Sequence, residues 1–266
     1  MRFALRVLCV WCSTSVVWAA ASTSTELRVA VAANFYAAAV TLAENFEQQN
    51  PDISIQLSSG STGALAAQII HGAPFDVFLA ADKQRPEALE QRGLSLAGSR
   101  RAYAAGQLAL VTRDAIFNDS NAALSDAHRH ISIDALRQHL STTKRLAIAN
   151  PATAPYGEAA RAMLAALSMW EPLQPTLVKG TSVLQAYQFV QTGNAERGLV
   201  AYSLVVNQPE ALLIPEQLYP LVEQHMVILK RTHYPEQAHT FTAFLRSGEA
   251  QRQIQTLGYL IPRAYD

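Results

Sequence analysis

The sequence is poor in cysteine. It has two in 266 residues, Cys9 and Cys12. Both sit in a leading stretch that reads as a removable export signal, so the exported chain has none. That excludes disulfides, a thiol nucleophile and any cysteine-based metal site. An excess of one charge is also lacking, since 21 basic residues balance 21 acidic ones. Without a basic surplus, nucleic acid is not an expected partner. Beyond the leading stretch, no apolar run approaches the roughly 20 residues of a membrane span. The histidines never fall into H-x-x-x-H or H-E-x-x-H spacing, and His128-x-His130 reads as solvated loop. The glycine-rich turn at Gly60 has neither the lysine of a P-loop nor the G-x-S-x-G of a nucleophile elbow. An enzyme is therefore not expected.

What is present begins with Arg2 and Arg6, an apolar stretch from Val7 to Trp18, and the small residues Ala19-Ala20-Ala21. This is the pattern of a secretory signal peptide over residues 1–21. Its apolar core is too short for an anchor, and Cys9 comes too early for a lipid-attachment box. Loss of both arginines leaves a net charge of −2. A slightly acidic, cysteine-free, exported chain fits a bacterial periplasm.

The rest alternates between strand and helix patterns. Leu27–Ala32, Ile53–Leu57 and Phe75–Leu79 read as strands. Helical spacing over 35–48 and from Ser61 to Ile70 separates them. A strand at Leu108–Val111 opens a second series, with strands at Leu146–Ala149, Leu177-Val178 and Gly198–Tyr202. Its helices run over 156–167 and 183–191. Residues 115–132 read as polar and irregular. Tyr219-Pro220 introduces a strand at Met226–Leu229, and two helices close the chain. Such βα alternation predicts two mostly parallel sheets flanked by helices, with a ligand cleft between two lobes. The expected division is 22–105 for the first part of lobe I, 106–221 for lobe II and 222–266 for a return to lobe I.

Four strand-to-helix junctions carry small polar or glycine residues and no lysine or arginine. They are Ala33-Asn34-Phe35, Gly60-Ser61-Thr62-Gly63, Ala154-Pro155-Tyr156-Gly157 and Gly180-Thr181-Ser182-Val183. Helix N-termini expose N–H groups and partial positive charge, so several converging on one place can hold an anion without a formal cation. Asn34 is expected to cap its helix or to donate to a ligand. Ser61, Thr62, Ser182 and Tyr156 offer neutral hydroxyls, and Val183 offers only its backbone N–H. No carboxylate stands in these loops. A protonated phosphate needs an acceptor, so the set favours a proton-free dianion: sulfate, molybdate or tungstate.

The runs Val31-Ala32-Ala33-Asn34-Phe35, SGSTGALAAQII (59–70), GAPFDVFLAAD (72–82), NPATAPYG (150–157) and the Ser182-Val183 turn resemble the periplasmic molybdate-binding proteins of bacterial ATP-binding-cassette importers. The resemblance spans Leu27 to about Pro262. It implies the two-lobed class II periplasmic binding protein fold and a tetrahedral oxyanion held by neutral hydrogen bonds. It implies roles for Asn34, Thr62, Tyr156 and Val183, with Ser61, Ala33 and Ser182 beside them. Where one branch has a threonine hydroxyl before the Asn, this chain has Ala33 and only its N–H. Where another takes a tyrosine from the last strand of lobe II, this chain has Ala201, and Tyr202 is one place out. Tyr156 is the expected substitute. Molybdenum would enter only as the oxyanion, with no protein ligand on the metal and no cofactor. The implied partner is an inner-membrane permease, and a monomer is expected. Sulfate remains the rival ligand. An effector-sensing domain would need a DNA-binding segment, which the charge and export signal argue against.

Overall fold

The computed structural model describes residues 25–113, 130–208 and 211–262. The export signal and most of the polar stretch at 115–132 lie outside the described residues.

The first sheet has β1 (Thr25–Ala32), β2 (Ile53–Gly60), β3 (Val77–Leu79) and β4 (Arg101–Gly106), with α1 (Tyr36–Gln49), α2 (Thr62–Ile70) and α3 (Gln84–Gln91) between them. The chain then crosses to β5 (Leu108–Thr112). It continues through α4 (Ile133–Ser141), β6 (Leu146–Ala149), α5 (Pro155–Ala166), α6 (Trp170–Leu173), β7 (Leu177–Gly180), α7 (Val183–Gln191), β8 (Arg197–Ala201) and β9 (Leu212–Leu213). It returns to the first sheet as β10 (Val222–Ile228), α8 (Pro235–Leu245), α9 (Gly248–Thr256) and β11 (Tyr259–Leu260). The strand orders are β11-β4-β10-β3-β1-β2 and β7-β6-β8-β5-β9.

Both sheets are mixed rather than mostly parallel. β1 runs parallel to β2 and β3, and β6 to β7 and β8. β10 is antiparallel to β3 and β4, and β5 to β8 and β9. Helical crossovers produce the parallel pairs. The strands at which the chain enters or re-enters a sheet come from the opposite direction and produce the others.

The first sheet is covered on both faces. Leu27, Val29 and Val31 join one apolar cluster with Phe35, Leu42, Phe46 and Phe241. Ala30 and Phe78 face the other cluster, with Leu65, Ile69 and Leu89. This is the period-two alternation of a strand buried on both sides. A third cluster fills the second sheet and takes in Ala32 and Ala81 from the first. The two sheets therefore meet at the carboxyl ends of β1 and β3.

Helices α3 and α4, like the short α6, escaped the periodicity reading. α3 buries only Pro86 and Leu89, α4 only Leu136 and Leu140, and α6 only Leu173, so the apolar stripe is thin.

Candidate functional site

Strand register sets the candidate loops in pairs. Ala32 pairs with Gly60, so the Asn34 and Ser61-Thr62 loops emerge side by side. Ala149 pairs with Gly180, which does the same for the Tyr156 and Ser182-Val183 loops. The contact between sheets then brings both pairs together. Asn34, Ser61, Thr62, Tyr156, Ser182 and Val183 line one small cavity, with Ala33 and other small residues completing the wall. No lining residue carries a formal charge. A groove of about 440 Å³ adjoins it at Ala81 and Pro155 and has mixed charge, including Asp82, Lys83, Glu158 and Glu223.

Asn34 does not cap α1. Phe35 holds the N-cap position, and no side chain caps this helix. The Asn34 amide is buried, so it needs protein partners. It donates to Gln224 Oε1 at 3.1 Å and to the Tyr259 hydroxyl at 3.4 Å. Ala33 is not a free donor either, because its N–H bonds the Gly60 carbonyl at 2.9 Å. Among the described residues, the next N–H, that of Asn34, has no partner.

Ser61 occupies the N-cap of α2 with extended backbone but makes no capping bond through its side chain. Its hydroxyl stays available at the cavity wall. Thr62 accepts the Ala81 N–H on Oγ1 at 3.1 Å. With that acceptor position filled, its hydrogen is free to donate. Ser182 caps α7 by accepting from the Gln185 N–H at 3.2 Å, and Gln185 Oε1 takes the Thr181 N–H at 2.6 Å. Val183 is the first residue of α7 and is buried.

Tyr156 stands in the first turn of α5, behind Pro155 at the helix start. It is 1% exposed, and among the described residues its hydroxyl has no partner. Burial raises its pKa well above the usual phenol value, and Tyr259, Tyr219 and Tyr103 push it further in that direction. It is therefore a neutral donor at any ordinary pH. Tyr202, the alternative phenol, does not line the cavity.

Residues 27–260 match the family described as bacterial extracellular solute-binding protein. The chain belongs to that family. This solute-binding protein is 39% identical to the molybdate-binding protein ModA of Azotobacter vinelandii, over 91% of this chain and 92% of the relative. It is 36% identical to ModA of Rhodobacter capsulatus, over 88% of each chain. The solved structure of an A. vinelandii periplasmic molybdate-binding protein superimposes with a TM-score of 0.76 at 30% identity, covering 89% of this chain and all of that one.

Sequence reasoning missed three residues that organise the site of this solute-binding protein: Ala81, Gln224 and Tyr259. Ala81 acts through its backbone, which carries no side-chain signal. Gln224 lies in β10, which begins at Val222, four residues before the expected Met226. The polar run Glu223-Gln224-His225 concealed the strand, yet Gln224 is fully buried. Among the described residues, no group of three His, Cys, Asp or Glu side chains is placed to hold a metal ion.

Proposed function

We propose that this protein captures molybdate, and tungstate with it, and delivers it to an ATP-binding-cassette permease in the inner membrane. One observation carries the reading. A small buried cavity receives the first turns of helices from both sheets, and its wall holds neutral donors without a single charged side chain. Such a wall suits a dianion with no proton of its own. Release requires no buried ion pair to be broken. Two ModA relatives above 35% identity support the choice of ion.

The assigned ligand groups are the side chains of Thr62, Tyr156 and Ser61 and the backbone N–H groups of Asn34 and Val183, with Ser182 beside them. Among the described residues, those up to Gly106 and again from Val222 form one lobe, and those from Leu108 to Leu221 the other. Ligand bridges the lobes and shifts the population to the closed form. The protein is a periplasmic monomer, a receptor rather than an enzyme, and uses no cofactor.

The test is a thermal-shift and calorimetric titration of residues 22–266 with molybdate, tungstate, sulfate and phosphate. A ligand at about 1,000 times its Kd adds roughly 4 kcal/mol of stability. Molybdate and tungstate should produce that shift, with affinity flat from pH 6 to 9 because the raised phenol pKa keeps Tyr156 protonated throughout. A shift with sulfate alone would reassign the ligand. No shift with any of the four would mean that the loops are only helix starts.

A further inference from the structure

Beneath the cavity lies a buried polar network whose protons are ordered by its own connectivity. The Tyr259 hydroxyl donates its only hydrogen to the Asn34 carbonyl at 2.7 Å. The Asn34 group facing Tyr259 must therefore be a donor, its NH2. That NH2 faces Gln224 at 3.1 Å, so Gln224 presents its oxygen there. The Tyr103 hydroxyl reaches the same oxygen at 3.0 Å. The Gln224 NH2 is thereby turned the other way, toward Gly106.

Gly106 ends β4, where the chain leaves the first sheet. A methyl carbon built on it would overlap the Tyr156 hydroxyl and lie 3.1 Å from Gln224 Nε2. The absent side chain thus leaves one gap that both groups enter. Gln224 is 0% exposed and Tyr156 1% exposed. Among the described residues, neither Gln224 Nε2 nor the Tyr156 hydroxyl has a hydrogen-bond partner. A buried donor and a buried acceptor left unpaired side by side favour any state that joins them. Thr62 displays the finished form of the same device, since the Ala81 N–H fills its acceptor position and frees its hydrogen.

We propose that Gln224 is a positioning residue of the anion site: in the ligand-bound form its side-chain N–H donates to the Tyr156 oxygen and turns the phenol hydrogen onto the anion. This rests on the molybdate reading above. Gln224 comes from the return segment and Tyr156 from the second sheet, so the pair also ties ligand binding to the approach of the two sheets.

The experiment is a double-mutant cycle of Gln224→Met and Tyr156→Phe in the purified protein, read by calorimetry with molybdate. Gln224→Met should weaken binding about tenfold when Tyr156 is present, and less than about threefold when residue 156 is already Phe. Equal losses in both backgrounds would overturn the proposal, because Gln224 would then act only by holding Asn34 and Tyr103. Failure of the wild type to bind molybdate would overturn the functional reading together with this one. If Gln224→Met does not fold, NMR of the Gln224 side-chain amide decides. Its signals should move downfield when molybdate is added to the wild type, and stay in place in Tyr156→Phe. Signals that do not move in the wild type would overturn the proposal.

Discussion

At the scale of single residues, Thr62 concentrates the chemistry of the site. It is 1% exposed, its oxygen accepts the Ala81 N–H and its hydrogen remains for a ligand. Thr62→Val keeps the shape and removes both functions. It leaves the Ala81 N–H buried and unpaired, so unfolding stability should fall by about 1–3 kcal/mol. Molybdate affinity should fall by about tenfold or more, equivalent to roughly 1.4 kcal/mol. Denaturant titration reads the first effect and calorimetry the second, and Thr62→Ser should restore both. Unchanged affinity in Thr62→Val would remove this residue from the site. That Thr62 is a hydroxyl at a helix start was legible in the sequence. Which of its lone pairs and hydrogens stays free was not, because Ala81 lies 19 residues away. Asn34 makes the same point more sharply. Its expected local role, capping, lost to partners 190 and 225 residues distant.

At the scale of elements, the start of α2 does two jobs. It offers the Ser61-Thr62 turn to the cavity and sends the Gly63 N–H across to the Thr153 carbonyl at 2.9 Å, in the loop before α5. Glycine is required for that approach, since a Cβ on residue 63 would sit 2.8 Å from the Thr153 oxygen. Gly63→Ala should therefore move two quantities in opposite directions. Alanine favours a helix over glycine by up to about 1 kcal/mol, so the ligand-free Tm should hold or rise. The collision with Thr153 opposes the approach of the two sheets, so molybdate affinity should drop severalfold. A calorimetric affinity equal to that of the wild type would show that the helix start does not gate the contact. The strands that position this element were readable from apolar runs. The return strand β10 was not read in full, because Gln224 and His225 are polar and yet buried. Desolvation lowers the His225 pKa despite a bond to Glu223, so its ring stays neutral in the fold at neutral pH.

At the scale of the whole molecule, the structure is a closed one. The Gly63–Thr153 bond joins the sheets on one side of the cavity, and the Ser203 hydroxyl reaches the Asn34 carbonyl at 3.4 Å on another. Arg85, held by Asp82, extends toward the Ala152 carbonyl at 3.5 Å. These contacts are partly exposed, and the cluster that fills the second sheet takes in only Ala32 and Ala81 from the first, whose own two clusters are separate, so the sheets can part without unfolding either. Small-angle scattering should give a larger radius of gyration without ligand than with saturating molybdate. Equal radii in both states would mean that the anion enters a preformed closed site.

The sequence by itself determined the composition of the loops that line the cavity. Four small polar or glycine-bearing starts of helices, free of formal charge, are local features, and local propensity and side-chain type are enough to mark them. It also determined much of the order of strands and helices, through apolar periodicity, but not β4, β9, β11 or the helices α3, α4 and α6, whose patterns are short or thin. Only the tertiary structure decided which donors are free. A hydroxyl or amide has a small, fixed number of hydrogens and lone pairs, and partners far away in the chain claim some of them first. Ala81 orients Thr62, Gly60 takes the Ala33 N–H, and Gln224 with Tyr259 takes the Asn34 amide. Those partners arrive by sheet pairing and by the return of the chain after Leu221, and no local pattern encodes either.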